Sequence, residues 1–214
     1  PEKTLPTSTS QKLGIDASKF LRRSEIRLDP RIMIPAGAFP TYRFSGNMKK
    51  EGLSLEPGRI LARWGDAGWG KLVTDNKHAN HFDDLLVKAV ADMIQNRWSP
   101  NPFPEWVTCV PSLNHLELVP NFARRLAKNL GIPFIDAVKK VKSNDPQKLK
   151  NNSFHQCRNL DGVFSIQADV PQKPVLLVDD IVDSGWTLTV IGALLRKAGS
   201  GSVYPLALAS TSAG

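Results

Sequence analysis

The sequence predicts an α/β chain organised around a buried, mostly parallel sheet, and three observations carry that prediction. Val175 to Val178 is a continuous apolar run with β-branched ends, which fits a strand covered on both faces rather than one with a wet side. Leu188, Ile191, Leu194 and Leu195 then recur at helical spacing, so a helix follows that strand after a short turn. Comparable strand and helix segments alternate through the C-terminal two thirds of the chain, the pattern produced by helical crossovers between parallel strands.

Taken in order, helices are expected near 82–97, 117–130 and 187–198, and strands near 106–110, 133–138, 162–166, 175–179 and 202–209. Leu85, Leu86, Ala89, Val90, Met93 and Ile94 form the apolar stripe of the first helix, which reads as core packing. Trp106 to Val110 is a strand ending in a Pro-containing turn, and the amphipathic stretch Phe122 to Leu130 closes on Gly131. The last helix has a plausible stop at Gly199. Together these elements give a Rossmann-like sheet.

The domain reading is a linker or cut edge over 1–30, an N-terminal extension packed on the core over 31–75, and the main α/β domain over 76–214. The first segment mixes Ser, Thr, Pro, Lys and Arg without sustained periodicity. The second is rich in Gly, Pro and aromatic residues and is expected to be ordered, given Trp64 and Trp69. Gly65 to Lys71 nearly spells a triphosphate-binding loop, but Leu72 stands where a magnesium-binding hydroxyl is needed and no long apolar helix is expected directly after it, so a packed turn is expected. His78 and His81 lack a specified third ligand and read as surface histidines.

Across 214 residues, 41% apolar composition can fill a core, and no apolar stretch is long enough to span a bilayer. No secretory signal is visible, and Cys109 and Cys157 lack the spacing of a zinc or redox pair. The expected setting is therefore the cytoplasm, with reduced, structural thiols. The start at Pro1 fits either a processed initiator or a piece of a longer chain.

The chemistry is concentrated at Pro174 to Thr187. Asp179 and Asp180 follow the apolar run at the crevice where open α/β sheets bind ligands, and two adjacent carboxylates suit vicinal hydroxyls. Ser184, Gly185, Trp186 and Thr187 open onto a helix N-terminus, whose unsatisfied N–H groups attract a phosphate. The implied ligand is a sugar phosphate. From the residues alone Asp183 reads as a helix cap.

This segment resembles the signature of type I phosphoribosyltransferases. The resemblance implies that Asp179 and Asp180 hold the ribose hydroxyls, that residues 183–187 wrap the 5-phosphate, and that Asp183 exchanges a proton with the base. It further implies a Mg-dependent reaction with phosphoribosyl pyrophosphate, and a pyrophosphate loop at Ser112, Leu113 and Asn114. Gln147 to Phe164, with Arg158, Asn159, Gly162 and Phe164, is similar to the flexible hood loop of ComF-like members. Two departures stand out: the zinc-module cysteines of that group are absent, and Leu116 to Pro120 replaces an arginine cluster. More residues therefore support sugar-phosphate binding than pyrophosphate transfer.

The stretch between Val141 and Val163 lacks apolar periodicity and is expected to be a loop over the site. Lys139, Lys140, Lys142, Lys148, Lys150 and Arg158 face Asp145 alone over 139–158, a net +5 of the chain's +8. Such a basic lid draws in an anionic phosphorylated sugar, and a loop touching nucleic acid has the same composition. About 30–214 also resembles the C-terminal phosphoribosyltransferase-like region of some bacterial RecQ-type DNA helicases. That resemblance implies a noncatalytic alternative, in which the module binds nucleotide or DNA and regulates an attached helicase motor in DNA repair. The motor itself is missing from the sequence. No membrane partner is expected, and an oligomer is compatible with the sequence.

Overall fold

A computed structural model describes residues 25–144, 152–167 and 169–212. Its centre is a five-stranded sheet in the order β1 (Ile26–Leu28), β4 (Gly58–Arg63), β9 (Val203–Ser210), β8 (Val175–Val182) and β5 (Trp106–Cys109). The last four are mutually parallel, whereas β1 runs antiparallel at the edge. The fold class is thus the expected one, mixed α/β on a mostly parallel sheet.

Residues 175–178 are fully buried because alternate side chains enter different cores. Val175 and Leu177 face the core that contains Trp186, Leu188 and Ile191, while Leu176 and Val178 face the one that contains Phe82, Leu86 and Phe122. Helices α1 (Trp69–His78), α2 (Asp84–Asp92) and α3 (Leu118–Leu130) contribute to the second core, and α5 (Trp186–Lys197) covers the first. A strand between two such layers has no wet face, which explains the absence of polar alternation.

Several elements differ from expectation. The helix read over 82–97 is α helical only to Asp92 and continues as a π-helical turn over Met93–Trp98. The strand read over 133–138 is reduced in the main sheet to a parallel bridge between Val107 and Phe134. The one read over 162–166 leaves the main sheet altogether: β7 (Phe164–Ile166) pairs antiparallel with β6 (Val138–Lys140) in a separate ribbon. Within the expected loop over 141–163, Ser153–Leu160 is helix α4, capped by the Asn152 side chain and anchored by buried Cys157 and Leu160. Two anchors on an eight-residue helix are too few to show as periodicity.

The segment ahead of α1 supplies strands of its own. Gly58–Arg63 is an inner strand, and β2 (Met33–Phe39) pairs with β3 (Phe44–Asn47), with β2 in contact with α4. The Tyr42 hydroxyl donates to the Phe164 carbonyl at 2.8 Å and accepts from its N–H at 2.6 Å. The Asp161 carboxylate accepts from the Thr41 and Tyr42 N–H groups at 3.1 and 3.2 Å.

Gly65 to Lys71 is the turn into α1, with Lys71 paired to Asp75 at 2.8 Å on the surface. The ten-residue helix that starts within it, at Trp69, buries only Gly70 and Val73 and is not the long apolar helix of a triphosphate-binding loop. Gly70 allows that helix to sit against β4, because a Cβ there would stand 2.0 Å from the Arg63 carbonyl oxygen. Gly70→Ala should cost about 1–3 kcal/mol of stability by overpacking, measured by denaturant unfolding; a neutral result would contradict the close approach.

Cys109 and Cys157 are free and buried, and burial pushes the Cys157 thiol up to about 12. Burial also raises the Cys109 thiol. Since the thiolate is the reactive form, neither should react with a thiol reagent at about pH 8, near the ordinary thiol range, in the folded chain, while both should titrate in guanidinium. Rapid reaction of the folded protein would contradict the packing.

Candidate functional site

Strand β8 does not end at the acid pair, as the sequence suggested, but runs on to Val182. It stays paired with β9 as far as Val182 opposite Ser210, whereas β5 ends at Cys109, opposite Val178. Asp179 and Asp180 therefore lie in the first residues of β8 that have lost one neighbouring strand. The chain passes outward from β5 to the Phe134 bridge on one side and from β8 to β9 on the other. Their C-terminal loops flank a topological switch point, the location where open α/β sheets hold ligands.

Asp179 is 9% exposed and Asp180 is partly buried. The Asp180 N–H donates to Asp179 Oδ1 at 2.8 Å, and Asp180 Oδ2 accepts from Lys77 Nζ at 2.7 Å. Burial, followed by the charge of Asp180, holds the Asp179 carboxyl well above the usual carboxylate range. The pair is thus asymmetric: Asp180 has a resident cation, and Asp179 favours its proton.

Beyond Val182 the chain turns through Asp183, Ser184 and Gly185 into α5. Gly185 takes a left-handed conformation, φ 77°, and no side chain caps the helix. This excludes the capping reading of Asp183, whose Oδ1 instead accepts from the Thr211 hydroxyl at 3.2 Å. Among the described residues the Ser184 and Thr187 hydroxyls have no partner. Both line a cavity of about 120 Å³ together with Asp179, Asp183 and Gly185. The indole of Trp186 is buried in the core, so this residue can offer the cavity only its backbone N–H.

Arg31, ahead of β2, braces the turn from outside. Its N–H donates to Thr189 Oγ1 at 3.3 Å, its Nε donates to the Ser184 carbonyl at 2.9 Å, and its guanidinium lies 5.8 Å from the Trp186 ring centroid. Sequence reasoning missed both Arg31 and Lys77. Lys77 had one legible signal, since Trp69, Leu72 and Val73 have helical spacing that starts a helix ahead of it. Arg31 had none, because its partners lie more than 150 residues away.

The loop after β5 begins beside β8, where the Val110 N–H donates to the Val178 carbonyl at 2.8 Å. Ser112 Oγ accepts from the Asn114 and His115 N–H groups at 3.3 and 3.2 Å, which folds the loop on itself. Ser112 and Leu113 line a cavity of about 250 Å³ with Arg124, Lys139 and Lys140. Asn114 is exposed next to them. Arg158 is exposed in the last turn of α4, and Lys148 and Lys150 lie outside the described residues.

Donor chemistry decides whether a metal fits. Among the described residues no group of three or more His, Cys, Asp or Glu side chains could hold an ion alone. Asp179, which favours its proton, is a poor direct ligand, so the Asp179–Asp180 pair suits only magnesium that draws most of its ligands from water and a bound phosphate ester, the usual mode for that ion. No helix among the described residues is long and apolar enough to cross a membrane.

Folding raises the proton affinity of Asp179, so this group adds stability in acid that is lost as pH climbs through its raised value. Asp179→Asn, which mimics the protonated acid, should melt higher than the parent at about pH 8. The gap should close toward about pH 4, the ordinary carboxylate range. A gap that widens in acid would contradict the burial.

Comparison with known proteins bears on the same residues. The chain is 29% identical over 147 residues to the ribose-phosphate pyrophosphokinase of Porphyromonas gingivalis, covering 66% of this chain and 41% of that relative. It therefore spans less than half of that protein's length. A purine phosphoribosyltransferase from Pyrococcus horikoshii superposes with a TM-score of 0.39 at 24% identity, over 59% of this chain and 71% of the other. An adenine phosphoribosyltransferase from Leishmania tarentolae gives 0.42 at 16% identity, over 65% and 75%. Residues 120–210, which hold β8, its acid pair, the turn and α5, match the family model of the phosphoribosyl transferase domain.

Proposed function

We propose that this chain binds phosphoribosyl pyrophosphate, or a related ribose 5-phosphate ligand, and transfers the phosphoribosyl group to a nitrogenous base with release of pyrophosphate. The observation that carries this reading is the presence in one cavity of a buried carboxyl and an uncapped helix N-terminus with two unengaged hydroxyls. Neither feature favours the other's ligand. A vicinal diol on a phosphorylated sugar satisfies both.

In this reading Asp179 and Asp180 hold the ribose hydroxyls, the protonated Asp179 serving as donor and Asp180, beside Lys77, as acceptor. The N–H groups of Gly185, Trp186 and Thr187, with the Ser184 and Thr187 hydroxyls, hold the 5-phosphate at the positive end of α5. Ser112, Leu113 and Asn114 receive the pyrophosphate, with Lys139 and Lys140 supplying positive charge at the same cavity. Those lysines stand in for the arginine cluster that Leu116 to Pro120 lacks. Arg158, with Lys148 and Lys150, which lie outside the described residues, would draw in the anionic ligand by charge. Asp183, exposed at the turn, takes up the proton that the base nitrogen releases. Magnesium bound through the ligand would neutralise charge on the departing pyrophosphate.

The alternative is a noncatalytic accessory module of a RecQ-type helicase that binds nucleotide or DNA; its DNA-binding form rests on the basic 139–158 stretch, and 145–151 of it lies outside the described residues. The buried acid pair has no use in binding DNA. A soluble cytoplasmic setting accords with the transfer reaction.

Calorimetric titration of phosphoribosyl pyrophosphate with magnesium tests the assignment. The parent should bind, and Asp179→Asn combined with Asp180→Asn should weaken binding at least tenfold, about 1.4 kcal/mol. Equal affinity in both would remove the acid pair from the site.

A further inference from the structure

Two cavities share the turn Val182 to Gly185 as a wall, and the sugar phosphate accounts for only one of them. The second, about 230 Å³, lies on the side of β1 and β4, where Arg27, Arg31, Arg63, Asp29, Asp183 and Ser212 line it. Its charges are unevenly committed. Arg27 pairs with Asp29 at 2.7 Å, and Arg31 spends only its Nε, on the Ser184 carbonyl. Arg63 makes no ion pair among the described residues. Three guanidinium groups against two carboxylates leave one positive charge in the cavity.

We propose that this cavity receives the acceptor and that the acceptor is a small nitrogen heterocycle carrying one carboxylate. The inference rests on the phosphoribosyl-transfer reading and adds to it the chemical class of the acceptor. Three features support it. Asp183 lines both cavities, so a ring in the second meets the carboxylate that also borders the sugar site. The volume is below the roughly 300–1,000 Å³ of pockets for drug-sized ligands, which restricts the occupant to one or two rings. A single surplus positive charge matches a monoanion, and a guanidinium fork engages a carboxylate through two parallel hydrogen bonds.

The step balances without any other reactant. The acceptor nitrogen's lone pair forms the bond to C1 of the ribose, and the bond from C1 to the pyrophosphate oxygen breaks with its electron pair leaving on pyrophosphate. Where that nitrogen bears a hydrogen, as in a uracil ring, the proton passes to the Asp183 carboxylate and then to water; a pyridine nitrogen has none to lose, and its product keeps the positive charge on the ring.

The test uses the full chain saturated with phosphoribosyl pyrophosphate and magnesium, probed with matched ring pairs: pyridine-3-carboxylate against its carboxamide, and uracil-6-carboxylate against uracil. Each carboxylate should bind at least about tenfold tighter than its uncharged match, and Arg63→Gln should erase that ratio while Arg63→Lys retains part of it. Equal or better binding of the uncharged rings, with phosphoribosyl pyrophosphate still bound, would overturn the acceptor class and leave the transfer reading standing. Absence of phosphoribosyl pyrophosphate binding in the same titrations would overturn the transfer reading itself. Carboxylate preference that survives Arg63→Gln would place the anion elsewhere and refute the cavity.

Discussion

Strand β8 outruns its neighbour β5, and the candidate site is a consequence of that mismatch. Up to Val178 the strand is flanked on both sides and covered on both faces, so only apolar residues are tolerated. From Asp179 onward one neighbour is gone, and the strand remains tied to the sheet through β9 alone. A crevice opens there, with a rigid floor that still excludes most water. Polar groups in such a place are held in fixed geometry by the sheet and experience a lower dielectric than surface groups.

The remaining features follow from stabilising charge in that crevice. Two adjacent carboxylates cannot both ionise cheaply when one is buried. The molecule resolves this by giving Asp180 the Lys77 ammonium and leaving Asp179 to hold its proton. Lys77 reaches the crevice because α1 packs closely on β4, an approach that depends on the missing side chain at Gly70. On the opposite layer, burial of Trp186 fixes the start of α5, and Arg31 fixes the turn before it. The turn into α5 is therefore braced from both ends, and a site held in place beforehand has a lower ordering cost of binding.

How much of this was legible in the sequence depends on how local each cause is. The run Val175 to Val178, the acid pair and the hydroxyl-rich turn lie within 13 residues of one another, and the strand, site and helix were read from them directly. Helix α4 escaped because its two buried anchors, Cys157 and Leu160, give too little periodicity. Strand β7 was seen as a strand but placed in the wrong sheet, since Phe164 to Ile166 has the same β character whichever partner it finds. The length of β8 was underestimated because Asp179 and Asp180 look like a strand end, and only pairing with β9 shows that they are not. Lys77 and Arg31 act across 103 and 153 residues, distances over which no local pattern operates.

The most direct test of this account is amide NMR of the chain titrated with ribose 5-phosphate, a ligand with both the diol and the phosphate. The account predicts concentrated shifts at Asp179, Asp180, Gly185, Trp186 and Thr187, with the helix N-terminal amides moving downfield as they take up the phosphate. Shifts confined to another surface, such as the larger 470 Å³ cavity lined by Arg27, Lys49 and Arg196, would contradict it.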